Sequence, residues 1–215
     1  MFETNYKSII GHSEGVFRDK GSRFLAFAYY VETENECKSV LERIKKEHPK
    51  ANHHCYAYRL GPYKNIFRWY DDREPSNTAG RPIYAVIQSN DLTNILIQSN
   101  DLTNILIVVV RYFGGTLLGV PGLIQAYRSA AEAAIEQNTI IEKEIEEEYE
   151  LQMSFEEMAE VMKIVKQHKA TLTQTSTADT LTLVVKTKKT FSDHFLKALT
   201  ENYLLKEKIK IKALF

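Results

Sequence analysis

The stretch "NILIVVVRYFGGTLLGVPGL", Asn104–Leu123, divides into a strand, a glycine-rich turn and the start of a helix. Ile105–Val110 is an unbroken run of branched aliphatic residues. Such a run is short for a helix and reads as a buried strand. Gly114, Gly115, Gly119 and Gly122 interrupt the apolar pattern, and "LIQAYRSAAEAAIEQ" (Leu123–Gln137) then reads as a helix rich in Ala, Glu and Gln. Upstream, "IQSNDLTNIL" occurs identically at Ile87–Leu96 and Ile97–Leu106, a tandem duplication. A helix that buries Ile83, Val86 and Ile87 next turns Asn90 and Asp91 inward, so its apolar stripe breaks there. The first copy is therefore expected to end a helix. The second supplies the buried strand, and the surplus forms a loop or a short extra element. The repeat length is even, so either copy keeps the same strand face inward.

Working outward, "GVFRDKGSRFLAFAYYVET" reads as a hairpin around Asp19-Lys20-Gly21. Thr33 and Glu36 have capping-box spacing. Cys37, Val40, Leu41 and Ile44 share one face of the helix that follows, and Pro49 stops it. "NHHCYAYRL" and "KNIFRWYDD" alternate as paired strands, and Pro82 suits the first turn of a helix. From Glu142 the composition turns rich in Lys and Glu, and a boundary is expected near residues 139–144, giving domains 1–140 and 141–215. The second reads strand (Glu147–Met153), helix (Phe155–His168), strands (Thr171–Thr175, Thr180–Thr187) joined at Ala178-Asp179, helix (Phe191–Glu201), strand (Lys206–Ala213). That βαββαβ order is the ferredoxin-like arrangement, and the fold class is α+β. The acid run Glu142–Glu150 is expected to be a solvated linker or edge.

Lys plus Arg equals Asp plus Glu, 28 against 28, so nucleic-acid contact would have to come from a local patch. Two cysteines make no disulfide framework. No basic start with an apolar run opens the chain, and no apolar segment approaches the roughly 20 residues of a membrane helix. The expectation is a cytoplasmic protein with reduced thiols and no membrane contact.

Two segments carry candidate chemistry. "DDREPSNTAGRP", Asp71–Pro82, combines three carboxylates with hydroxyls, a glycine and two arginines. It reads as a turn opening a helix, with Ser76 or Thr78 as cap and Gly80 relieving the backbone, or as a site in which Asp72 or Glu74 acts as base or metal ligand. The glycines of "RYFGGTLLGVPG" can present N–H groups to an anion at a helix start, with Arg111 on phosphate and Tyr112 stacked on a base. Neither a phosphate-loop lysine nor a G-x-G-x-x-G pattern is present. His53 and His54 are adjacent in a strand and point oppositely, so they do not chelate one metal; His54 reads as a structural or binding histidine. No metal or cofactor is expected. Tyr56, Tyr58, Phe67, Trp69 and Tyr70, with Arg59 and Arg68, form either core or a stacking face for single-stranded nucleic acid.

"KGSRFLAF", "HHCYAYR", "DDREPSNTAGRP" and "NILIVVVRYFGGTLLGVPGLIQAYRSAA" come in the order and spacing of the IMPACT family, which the chain resembles over about residues 15 to 137. That family usually has glycine where this chain has Arg73 and Asn77, reads "LGxGG" where this chain has "LGVPG", and holds a single copy of the repeated decapeptide. The resemblance implies a ribosomal protein S5 domain 2-like amino-terminal domain. It also implies a carboxyl-terminal domain similar to one of elongation factor G. Eukaryotic relatives regulate translation by binding a ribosome-associated activator of a starvation-sensing kinase, through a region that includes a separate amino-terminal domain. Two readings follow. In the first, residues 71–82 and 111–122 form a cleft that contacts RNA, the ribosome or a ribosome-associated protein. Arg81 and Arg111 position the partner, Tyr112 stacks, and Ser76, Thr78 and the N–H groups of Gly114, Gly115 and Gly119 donate. In the second, the protein is an enzyme acting on a phosphorylated small molecule through Asp72 or Glu74.

Overall fold

The computed structural model describes residues 3–88, 101–177 and 180–214. The chain forms two compact units, residues 6–143 and residues 1–5 with 144–215. The first unit is built from β1 (Asn5–Ile9), β2 (His12–Asp19), β3 (Ser22–Tyr30), α1 (Glu34–Glu47), β4 (His53–Leu60), β5 (Ile66–Tyr70), α2 (Gly80–Gln88), β6 (Ile105–Tyr112), α3 (Gly119–Glu136) and β7 (Ile140–Glu144). Five strands make a sheet in the order β2-β3-β6-β4-β5, with every neighbouring pair antiparallel. β1 and β7 pair separately.

The opening stretch sits at the centre of that sheet. Every residue of β6 from Ile105 to Arg111 is buried. Successive side chains alternate between faces. Ile105, Ile107 and Val109 join Phe24, Cys55 and Ala57 under α2 and α3, whereas Leu106, Val108 and Val110 join Phe27, Tyr58 and Leu60 under α1. The unit is thus three layers: α1, the sheet, then α2 with α3. The alanines of α3 (Ala126, Ala130, Ala131, Ala134) let it lie on the sheet at close range. At Gly15 of β2 a Cβ would sit 2.3 Å from the Ala134 nitrogen, so only glycine allows that approach.

A local signal accounts for the start of α1, which has its capping box: the Thr33 hydroxyl accepts from the Glu36 N–H at 3.2 Å, and a Glu36 carboxylate oxygen accepts from the Thr33 N–H at 3.3 Å. α2 is described as far as Gln88, inside the first copy of the repeat, and β6 begins in the second copy. The surplus between them lies outside the described residues. Lys20, at the tip of the β2–β3 hairpin, has φ 44° and is followed by Gly21 at φ 78°.

The second unit holds β8 (Glu146–Met153), α4 (Met158–Gln167), β9 (Thr171–Thr177), β10 (Leu181–Lys188), α5 (Lys189–Thr200) and β11 (Lys210–Leu214). Its sheet runs β11-β8-β10-β9, all antiparallel. Tyr149, Leu151, Leu183 and Val185 pack on Val161, Ile164, Phe195 and Leu199. The turn expected at Ala178-Asp179 lies outside the described residues. The acid run is not a linker: residues 142–144 lie in β7, half of a two-stranded pair and so an edge, whereas residues 146–150 lie in β8, an inner strand of this sheet. The reason is cross-strand pairing of opposite charges. Glu148 stands opposite Lys186, Glu150 opposite Lys212, and Lys186 Nζ lies 2.9 Å from a Glu146 oxygen. The first helix of this unit and its last strand start later than expected, at Met158 and Lys210, and α5 starts earlier, at Lys189. Ahead of α4, Ser154 donates from its hydroxyl (2.5 Å) and its N–H (3.1 Å) to Glu157. Among the described residues no helix is long and apolar enough to cross a membrane.

Candidate functional site

The loop from Asp71 to Thr78 turns sharply because Asp72, Arg73 and Asn77 all have positive φ, at 41°, 70° and 62°. Arg73 and Asn77 are the two positions where the IMPACT pattern expects glycine, and left-handed backbone is the physical reason for it. Asp71 organises the loop. Its Oδ1 accepts from the N–H groups of Ala79 (3.0 Å) and Gly80 (2.8 Å), and its Oδ2 accepts from Asn77 at 2.9 Å. Asp71, not Ser76 or Thr78, therefore caps α2, and a carboxylate suits the positive helix end. Ser76 is exposed and accepts from the Asn77 amide at 3.3 Å, while Thr78 is buried and donates to the Pro75 carbonyl at 2.7 Å. Gly80 is required by contact: a Cβ there would lie 2.6 Å from the Tyr70 nitrogen.

Glu74 is carried inward by this turn. Its side chain is 4% exposed and meets Arg111, 6% exposed, at 2.5 Å from Nη1 to Oε1. Tyr127 of α3 donates to the same oxygen at 2.8 Å. His53 completes the group, with Nε2 3.7 Å from Glu74 Oε1 and Nδ1 2.8 Å from the Asp72 carbonyl. A carbonyl can only accept, so Nδ1 is the donor in that bond. The guanidinium of Arg111 lies 5.4 Å from the Phe24 ring and 5.6 Å from that of Phe113. Its Nε is buried without a partner.

Glu74, Arg111 and His53 floor a cavity of about 470 Å³. Pro75, Phe113, Leu117, Leu118, Val120 and Leu123 wall it, and Asn52, Arg73 and Gly119 complete the lining. The two segments expected to form a cleft do so, through Arg73–Pro75 and Arg111–Leu123. Leu117 is 81% exposed, and Phe113 and Val120 are also exposed, so the rim is apolar. The amino end of α3 has no side-chain cap.

Several expected site residues lie elsewhere. Tyr112 follows Arg111 in the strand and so faces the other side of the sheet, where its hydroxyl lies 2.9 Å from His48 Nδ1 and Arg23 sits over its ring. His54 lies on that same far face. Its Nε2 lies 3.1 Å from the His48 carbonyl, its backbone N–H donates to Asp72 at 2.7 Å, and burial lowers its pKa from the ordinary 6.5. His53 is the histidine that lines the cavity. Asp72 is occupied by that backbone bond, and Arg81 is exposed but outside the lining. Gly114 gives its N–H to Ser22 at 3.1 Å, and a Cβ on it would fall 1.9 Å from the Gly21 carbonyl carbon, so it serves chain contact. Gly115 (φ 88°) and Gly119 (φ 71°) have open space around them. Arg111 is not a free phosphate contact, because Glu74 neutralises it below the surface. Asn52 and Tyr127 lacked any sequence signal. Asn52 precedes the histidine strand and accepts from the Phe113 N–H at 2.8 Å, and Tyr127 looks like an ordinary helix-core tyrosine.

Cys55 is buried beside this group, 3.0 Å from the Asp71 carbonyl and 3.4 Å from the Tyr127 hydroxyl. Burial pushes its thiol pKa far up, and burial with the neighbouring Cys55 and Glu74 does the same for Tyr127. Both stay protonated, so Cys55 is not poised as a nucleophile.

An α+β chain of two units, with this loop, strand and glycine turn around one cleft, has counterparts among known proteins. The Impact N-terminal domain profile matches residues 20–135, and the chain belongs to the IMPACT family. It is 35% identical over 144 residues to an IMPACT family member of Haemophilus influenzae, covering 65% of this chain and 64% of that one. It is 36% identical over 124 residues to YvyE of Bacillus subtilis (58% and 52%) and 32% identical over 150 residues to YigZ of Escherichia coli (69% and 69%). Thus the match spans between half and about two-thirds of these relatives' lengths. A crystal structure described as that of a hypothetical protein superposes with a TM-score of 0.73 at 26% identity, over 99% of this chain and 98% of its own.

Proposed function

We propose that this is a cytoplasmic, translation-associated binding protein whose cleft takes a ribosome-associated protein partner rather than RNA phosphate. The translational setting follows from what the IMPACT resemblance implies. The choice of partner rests on one observation: Arg111, at the cleft floor, is buried and neutralised by Glu74 beneath an apolar rim. RNA affinity comes mainly from cations free to displace counterions. Protein partners instead anchor through apolar side chains in desolvated pockets. We also assign the first unit to the ribosomal protein S5 domain 2-like fold and the second to the ferredoxin-like fold; the βαββαβ order and the β11-β8-β10-β9 sheet support the latter. The outer face of that sheet carries Glu148, Glu150, Lys186 and Lys212, without the aromatic platform by which such sheets stack bases. The enzymatic reading has less support: Asp72 accepts from the His54 backbone N–H, and Glu74 Oε1 is held by Arg111 and Tyr127.

Co-sedimentation with ribosomes across a salt series tests this, with Leu117→Asp beside Arg81→Ala. The expected result is shallow salt dependence, loss of binding in Leu117→Asp, and retention in Arg81→Ala. A steep salt slope with loss only in Arg81→Ala would make RNA the partner. Absence of pelleting at low salt would remove the ribosome from the account.

A further inference from the structure

We infer that the cavity between Glu74 and Leu123 is a recognition site for an apolar α-amino acid unit bearing a free carboxylate, either a free amino acid or the carboxyl end of a polypeptide. The inference rests on the reading of the cleft as a binding site, but not on the ribosome being involved.

Three features of the cavity specify that chemistry. The first is an unfinished ion pair at the floor. Glu74 spends Oε1 on both Arg111 and Tyr127, and among the described residues no hydrogen bond uses Oε2. Arg111 spends only Nη1. Its Nε is buried without a hydrogen-bond partner. A buried guanidinium with an unmet donor beside a cavity is a costly arrangement unless something accepts from that group. Planar guanidinium donors suit a carboxylate.

The second feature is the acceptor side. His53 Nε2 lies 3.7 Å from Glu74 Oε1 while its Nδ1 is committed to the Asp72 carbonyl, so a ring nitrogen and a carboxylate stand close together at the floor. A ligand N–H donor, ammonium or amide, finds its acceptor in the Glu74 carboxylate. The formal charges around the cavity also cancel. Arg111 offsets Glu74, and Arg73 lies 3.7 Å from Asp72 at its mouth. A balanced site favours a ligand carrying both a donor and an acid over a polyanion such as a nucleotide. The uncapped amino end of α3, through Leu118, Gly119 and Val120, adds a partial positive charge on the carboxylate side.

The third feature is the wall. Leu117, Leu118, Val120, Leu123 and Phe113 surround the polar floor, and about 470 Å³ falls within the roughly 300–1,000 Å³ of small-ligand clefts. An aliphatic side chain would lie against them, displacing water from apolar surface that is now exposed.

The test is isothermal titration of the full chain with L-leucine, with L-leucinamide, and with an amino-blocked tripeptide ending in leucine. The expected result is saturable binding of leucine or the tripeptide. Leucinamide should bind about tenfold or more weakly, having lost the charge-assisted bonds to Arg111. Leu117→Asp should bind the acid more weakly while keeping the parent's thermal transition, since Leu117 is mostly exposed. Tighter binding of the tripeptide than of leucine assigns the site to a chain end, and binding of leucine alone assigns it to the free amino acid. Equal binding of acid and amide, or no heat from either acid at millimolar concentration, overturns the inference. Ribosome co-sedimentation on the same preparation keeps the two readings apart, because each result can fail without the other.

Discussion

Removing the Glu74 carboxylate should be among the most damaging single changes to the first unit. Glu74→Ala strips Arg111 Nη1 of its 2.5 Å partner and Tyr127 of its 2.8 Å acceptor. Breaking a buried pair from one side costs about 3–5 kcal/mol, because the charge left behind has no compensation. Water entering the cavity can solvate part of the guanidinium, so the lower half of that range is expected. Against a total stability of about 5–15 kcal/mol this is a large fraction. The chain has one tryptophan, Trp69, and it lies on β5 of the first unit. Its fluorescence therefore follows that unit's unfolding even if the second unit unfolds separately. With a urea m-value of about 2 kcal/mol/M, the midpoint should fall by about 1.5–2 M. Glu74→Gln should recover the Tyr127 bond but not the charge, and should fall between parent and Ala. A midpoint shift below about 0.5 M for Glu74→Ala would mean that Arg111 is well solvated, and the cavity floor described above would be wrong.

Further outcomes follow from single groups. Burial lowers the His54 pKa, so the unfolded chain binds more protons below the ordinary 6.5. The contribution of His54 is complete above that pH and is lost as pH falls below it, and His54→Gln should flatten the stability–pH curve there, read by urea titration. Arg73→Gly should raise stability by about 0.5–1 kcal/mol: relief of φ 70° outweighs glycine's chain entropy, and the Arg73 contacts are solvent-exposed ones of little value. A thermal midpoint that falls in Arg73→Gly would assign those contacts a weight they lack here. Cys37, with its thiol pKa raised to about 12 by burial and then by Glu34 and Glu36, and Cys55 should both resist a thiol reagent until urea unfolds the chain. Labelling of either in the native state would contradict the buried placements.

The central strand of the first unit was legible because β6 is apolar throughout, but the helices that cover both its faces were not assigned to layers by any local pattern. The capping box of α1 was legible because both partners lie within one turn. Pairings between distant segments were not. Asp71 caps α2 from nine residues away, which no local cap rule anticipates. β1 reads as polar and pairs with β7, cut from a run that looks like a charged linker. The lysines of β10 and β11 that neutralise β8 were visible, but their register was not. The cleft itself was half legible. Strand alternation, applied to His53 and His54, places them on opposite faces; the same rule puts Arg111 and Tyr112 on opposite faces, so the expectation of both in one cleft contradicted the chain's own periodicity.

The buried pair bears on function because stability alone does not call for it. Replacing such a pair with apolar residues of similar volume is often neutral or stabilising. Arg111→Met with Glu74→Leu, and Tyr127→Phe to remove the donor that would otherwise be orphaned, should raise the Trp69 unfolding midpoint above that of Glu74→Ala. If the polar floor serves a ligand, this triple variant should have regained stability and lost all leucine or tripeptide binding. If the floor only fixes the fold, the triple variant should unfold as early as Glu74→Ala, and the case for a ligand at Arg111 would fail. The two results separate a side-chain group held for recognition from one held for packing.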